Sequence, residues 1–275
     1  MFTNNPFAAV TDVLHPSFMT VYLVLMVLAV IVGTLFDIVH KGSAKYFFEH
    51  WRGSKSRSAK AVSGGELVSI AVQTGVVDVL ASGEFCNVRR RIAHLLTMYG
   101  FVLYVVTTAI MVFCYPTSAT PGPAILPQLW WLGGLMVCAG GYWFWFFIRV
   151  DVAAEGRSRL RVMKADLFIL SLLASTTLGL VWAAAGSGVG VLFGLYILAT
   201  TVLFGSVTWS KFAHMFFKPA AAFEKRVSQA NGTAENMPTQ TRDDPEQQKR
   251  HSMELLRDAP MDMGLGIKRD APRHY

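Results

Sequence analysis

The chain has 275 residues, of which 53% are hydrophobic and only 16% charged. This lies well below the roughly one-quarter charged residues of an ordinary soluble domain and excludes one. Its net charge of +7 comes from Lys and Arg that flank apolar runs instead of forming one basic stripe with interleaved aromatics, which excludes nucleic acid as the partner.

Residues 1–17 carry neither Lys nor Arg and are read as a segment outside the membrane. The first apolar run, 18–39, has no basic n-region and no small-residue cleavage site. It is also longer than a signal-peptide core, so a retained helix is expected. A spanning helix needs roughly 20 predominantly apolar residues, and four further runs qualify: 92–115, 129–148, 167–185 and 189–209. The last two are separated by Gly186, Ser187 and Gly188 alone, the chemistry of a tight turn between antiparallel helices. No Asp, Glu, Lys or Arg occurs between Arg91 and Arg149.

Between the first two runs, 41–65 reads as irregular and basic. Residues 66–82 turn apolar at Leu67, Ile70, Val76, Val77 and Leu80, but Gly75 and Asp78 interrupt them. An interfacial helix is expected there, not a further span. From 228 onward the composition becomes polar and aperiodic, predicting a disordered tail. A late segment, 253–267, regains Leu and Met, and a short partner-binding element is the alternative there.

Orientation follows from the basic residues. Lys41, Lys45, Arg52, Lys55, Arg57, Lys60 and Arg89–Arg91 lie in the first long loop. Arg149, Arg157, Arg159, Arg161 and Lys164 lie in the next, and Lys211, Lys218, Lys225 and Arg226 follow the fifth run. The loop 116–128 has no charge. Positive charge stays in the cytoplasm. The predicted fold is therefore all-α, an integral bundle of five transmembrane helices over 18–227, N-terminus outside and C-terminus cytoplasmic, in a bacterial inner membrane. Asp37 and Asp166 fall at helix ends, where solvation is easy, so no span is expected to hold the buried charge of an ion path.

Cys86, Cys114 and Cys138 form no CxxC pair, so an iron–sulfur or zinc site on this chain alone is not expected. Of seven histidines, His94 opens the second span in CNVRRRIAHLLTMYGF, and His214 closes the fifth in WSKFAHMFFKP. Both come to the cytoplasmic end of the bundle, the arrangement by which two neutral imidazoles ligate one haem iron. Arg91 and Lys211, with Arg89 and Arg90, are near enough in sequence to pair with haem propionates. His40 competes as a ligand, and for each histidine alone a headgroup or carbonyl contact is the plainer reading. Trp130, Trp131, Tyr142, Trp143, Trp145, Phe146 and Phe147 are expected as an interfacial aromatic belt. Gly133, Gly134, Gly140 and Gly141 are expected to admit a neighbouring helix.

The segment KFAHMFFKPAAAFEKR after the fifth span resembles the gamma, or cytochrome b, subunit of respiratory nitrate reductase. GEFCNVRRRIAHLLTMYGFVLYVVTTAI is similar to the membrane part of the quinone-interacting oxidoreductase of sulfur metabolism. It is similar also to the anchor associated with adenylylsulfate reductase in sulfur-oxidising bacteria. The resemblance covers about residues 18–227. It implies one b-type haem on His94 and His214. Tyr104 and Tyr196 stand nearest to where an outer haem would find its ligands, so an outer haem is not expected. It implies as partners the quinone pool, membrane lipid and a cytoplasmic iron–sulfur or flavin enzyme, adenylylsulfate reductase or one like heterodisulfide reductase. The chain itself performs no bond-making chemistry in this reading. A haem-free anchor for the same enzyme is the alternative.

Overall fold

The computed structural model describes residues 2–40, 43–83, 85, 88–149, 158, 160–210 and 214–233. Among them every regular element is helical. A 3₁₀ turn (Ala8–Asp12) leads into α1 (Ser17–His40) and α2 (Ser43–Ser56). Then come α3 (Gly64–Gln73), prolonged as a π-helix over Thr74–Leu80, and α4 (Val88–Cys114). α5 (Ile125–Trp143) continues as a π-helix over Phe144–Ile148. A 3₁₀ turn (Lys164–Asp166) opens α6 (Leu167–Ala184), followed by α7 (Val191–Gly205) and α8 (His214–Ala230). Among the described residues, four helices are long and apolar enough to cross a membrane: α1, α4, α5 with its π turn, and α6 with its 3₁₀ turn. The chain has the build of a multi-pass membrane protein.

Three elements differ from expectation. The fifth apolar run is helical only over the 15 residues of α7, about 22 Å of rise. Gly205 and Ser206, both poor helix formers, stop it, and the chain turns with Trp209 and Ser210 donating to the Ser206 carbonyl at 3.0 and 2.9 Å. Apolarity continues through Val207 and Trp209, so composition alone does not register the break. As a result His214 opens α8 instead of closing the fifth span. Finally, α2 occupies part of the loop read as irregular, and α8 carries helix to Ala230, past the expected start of a tail. The rest of that tail, including 253–267, lies outside the described residues.

The described residues fall into two compact units. The first combines the chain up to Lys45 with Ala81–Lys218. In it α5 is wedged between two helices by its glycines, which alternate in facing. A Cβ on Gly133 would lie 2.7 Å from the Tyr104 amide of α4, and one on Gly140 would lie 2.6 Å from the Ala93 carbonyl. On Gly134 and Gly141 it would lie 2.7 Å from Leu180 and from Leu173 of α6. Each pair is seven residues apart, two helical turns, so one face seals against α4 and the other against α6. Several polar groups inside the bundle are matched across helices. Trp130 Nε1 donates to Thr108 at 2.9 Å, Ser175 and Thr200 share a 2.7 Å hydrogen bond, and Tyr22 donates to the Ile197 carbonyl at 3.0 Å. Trp182 Nε1 closes the α6–α7 turn on the Gly188 carbonyl at 3.0 Å. Gly186 and Ser187 there are both left-handed.

Trp130, Trp131 and Trp145 are buried, at 0%, 7% and 6% exposure. They are core residues, not a belt. A belt tryptophan turns its N–H toward headgroups, whereas Trp130 spends its own on Thr108.

The second unit combines Tyr46–Leu80 with the chain from Pro219. Trp51 stacks between Phe47 and Phe223, at 6.3 and 5.8 Å between ring centroids. Arg226 grips Asp78 of the π-helix with two hydrogen bonds of 2.7 and 2.9 Å. Those bonds, first, and the carboxylate charge, second, raise the already high guanidinium pKa further. Asn231 ties the unit's ends together. Its amide donates to Ser54 at 2.8 Å and its carbonyl accepts from Ala59 and Lys60.

Candidate functional site

The N-terminal end of α4 is where the residues singled out from the sequence meet others that were not. His94 sits on the second turn of α4, half-buried. Its Nδ1 lies 3.0 Å from the hydroxyl of Ser82. Ser82 is 1% exposed and holds φ = 49°, a left-handed conformation that costs a non-glycine residue on the order of 1 kcal/mol or more. Arg91 clamps the same turn, its Nε donating to the Ala81 carbonyl at 2.8 Å. The Phe85 ring packs on the His94 ring at 4.8 Å, and the Lys218 ammonium lies 5.6 Å from the centre of Phe85. A turn of backbone, a hydroxyl and an aromatic ring thus set one imidazole in place.

The consequence is chemical. When Ser82 accepts the Nδ1 proton, Nε2 keeps the lone pair that binds a metal. A hydrogen bond of this kind at the far nitrogen accompanies nearly every metal-bound histidine. The face of α4 that carries His94 is also distinct from the glycine seam. Two turns farther along, Phe101 meets Phe204 of α7, with ring centroids 6.4 Å apart. Gly140, by contrast, closes α5 onto Ala93, Leu96 and Thr97. A planar macrocycle has no room in that seam. His94 lies on another side of α4, the one that meets α7 through Phe101 and Phe204.

His214 is the first residue of α8, one helical turn before Lys218, and its side chain lies outside the described residues. Lys211 and Cys86 lie outside them altogether. Arg91 comes together with His94 through the Ser82 turn. Tyr104 and Tyr196 are buried, at 6% and 4% exposure, and converge on Gly179, where a Cβ would meet the Tyr104 hydroxyl and the Tyr196 ring. Tyr104 stacks on Trp130 at 4.8 Å and Tyr196 on Trp182 at 5.5 Å. Four rings fill this interval between the helices.

Two acids depart from the expectation of easy solvation. Asp166 is 6% and Asp37 4% exposed. Asp166 pairs with Arg149 at 2.6 Å and accepts from the Met163 amide at 2.9 Å. Arg149 also donates to the Arg161 carbonyl at 2.6 Å and lies 3.9 Å over Trp145. Asp37 lies one turn beyond Gly33, where a Cβ would sit 2.9 Å from Val207. That close approach presses this end of α1 against the segment that follows α7. Ser82 and Phe85 were equally missed. Their only sequence signal is proximity, 12 and 9 residues before His94, across a turn that contains Gly83.

The family model described as citrate utilization protein B matches residues 72–235. The Citrate utilization protein B of Escherichia coli is 29% identical over 163 residues, 56% of this chain and 43% of that protein. The chain thus spans less than half the length of the curated relative it matches. No solved structure matches it. Ser82, Arg91, His94 and His214 all fall inside the matched interval, and α1 and α2 precede it.

Proposed function

The chain belongs to the citrate utilization protein B family, and we propose that it is a membrane-embedded electron-transfer subunit. It ties a cytoplasmic iron–sulfur or flavin enzyme to the quinone pool. The observation that carries this reading is the preset imidazole of His94, its Nδ1 held by Ser82 at 3.0 Å. The residues that would hold a b-type haem are His94 and His214, with Arg91 and Lys211 supplying positive charge for its propionates. When bound, that group supplies one-electron transfer. The protein fixes its ligand and keeps the outer half of the bundle filled with aromatic rings.

In this reading α7 is the fifth span, the N-terminus lies outside, the basic loops face the cytoplasm and the membrane is the bacterial inner membrane. The basic inner surface receives the partner enzyme. The motif around His94 favours adenylylsulfate reductase or a heterodisulfide-reductase-like enzyme. The description of the Escherichia coli relative favours a second reading of the partner, an enzyme of citrate utilisation. Quinone reduction by the chain with each purified enzyme and its own substrates separates the two.

The deciding experiment is a reduced-minus-oxidised spectrum of the purified chain, expressed with haem supplied, beside His94→Ala and His214→Ala. The expected result is a b-type Soret band that both substitutions abolish. A wild-type protein without that band removes the haem and leaves the haem-free anchor. Quinone reduction that survives both substitutions does the same.

A further inference from the structure

We propose that Ser82 is a positioning residue that fixes the ring tautomer of His94 and tunes the affinity of its Nε2 for iron. The inference rests on the haem reading above for its redox consequence, and its test is built to stand apart from that reading. Three observations converge on this serine. Its hydroxyl is 3.0 Å from Nδ1. It is 1% exposed, so water does not compete for the bond. Its backbone is held at φ = 49° although the next residue, Gly83, would take that conformation without strain. The surrounding contacts serve the same end: Arg91 holds the Ala81 carbonyl that precedes Ser82, and Phe85 covers the ring. A turn that only needed to reverse the chain would be better built with glycine at 82. Where the serine hydroxyl accepts the Nδ1 proton, Nε2 is left as the donor nitrogen.

Ser82→Gly is the informative variant, because glycine relieves the left-handed backbone while deleting the hydroxyl. Ser82→Asn tolerates the same φ and offers a replacement oxygen. Ring ¹⁵N NMR of the haem-free full-length chain in micelles reads the His94 tautomer directly. The expected result is an Nδ1-protonated ring in wild type, a mixture of tautomers in Ser82→Gly, and partial return in Ser82→Asn. In the haem-loaded chain, Ser82→Gly weakens the ferric form about tenfold relative to the ferrous, a rise in midpoint of about 59 mV. An unchanged tautomer in a folded Ser82→Gly chain overturns the proposal, with or without bound haem. So does a Ser82→Gly chain that melts below wild type with the tautomer intact, which marks the serine as structural only. Failure of wild type to bind haem counts against the haem reading alone, since the NMR result still decides the role of Ser82.

Discussion

Arg149 and Asp166 have side chains only 7% and 8% exposed and form a buried ion pair. Replacing one member of such a pair strands the remaining charge, at a cost of about 3–5 kcal/mol. Asp166→Asn is therefore expected to lower the melting temperature of the purified protein in detergent sharply. Replacing both with apolar residues of similar volume, Arg149→Met with Asp166→Leu, recovers most of the loss. The Asp78–Arg226 pair behaves differently. Its cation is raised in pKa by its partner, so the stability linked to that shift is fully present below arginine's ordinary value. It is lost only as pH climbs through the higher folded value, and no change arises from Arg226 across neutral pH. At this scale the sequence was least legible. His94 stood out because a histidine beside an apolar run carries its chemistry on its face. Ser82 did not, because nothing local distinguishes a serine that turns a chain from one that also holds an imidazole. Asp37 and Asp166 were misjudged because position at a helix end says nothing about what is packed beside it.

Helices make the opposite lesson. The four long apolar runs appear as helices within a few residues of where hydropathy placed them, because a predominantly apolar stretch has no other way to satisfy its backbone in lipid. The glycine pairs of α5 were legible as packing positions, while the assignment of alternate pairs to α4 and α6 needed coordinates. That assignment is testable. Gly140→Leu drives a side chain into the Ala93 carbonyl and Thr97, at 2.6 and 2.7 Å from its first carbon, and is expected to destabilise by about 1–3 kcal/mol. Gly194→Ala on α7 meets nothing within 4 Å and is expected to be neutral or stabilising by up to about 1 kcal/mol. Thermal melts of the two variants side by side decide it. α2 escaped notice because its aromatic stripe, Phe47 and Trp51, is set among charges and glycine. α8 escaped because Pro219 lies inside it, a residue that ordinarily ends a helix.

At the scale of the whole molecule, the helical character of the described residues and the four membrane-length helices among them followed from composition and run length. The topology remains a proposal with a direct test. Reporter fusions placed in the loop 116–124 are expected to be active only outside the cytoplasm, and fusions near residue 60 or after 233 only inside it. Equal signals at 120 and 60 would refute the five-span reading. The shortness of α7 carries a further consequence. Its rise of about 22 Å is less than the roughly 30 Å of a typical hydrocarbon core. If α7 is the fifth span proposed above, lipid chains beside that face must shorten or tilt to meet it. The bilayer would pinch beside the hairpin, and water would come closest to the bundle interior at the end where His94 is held.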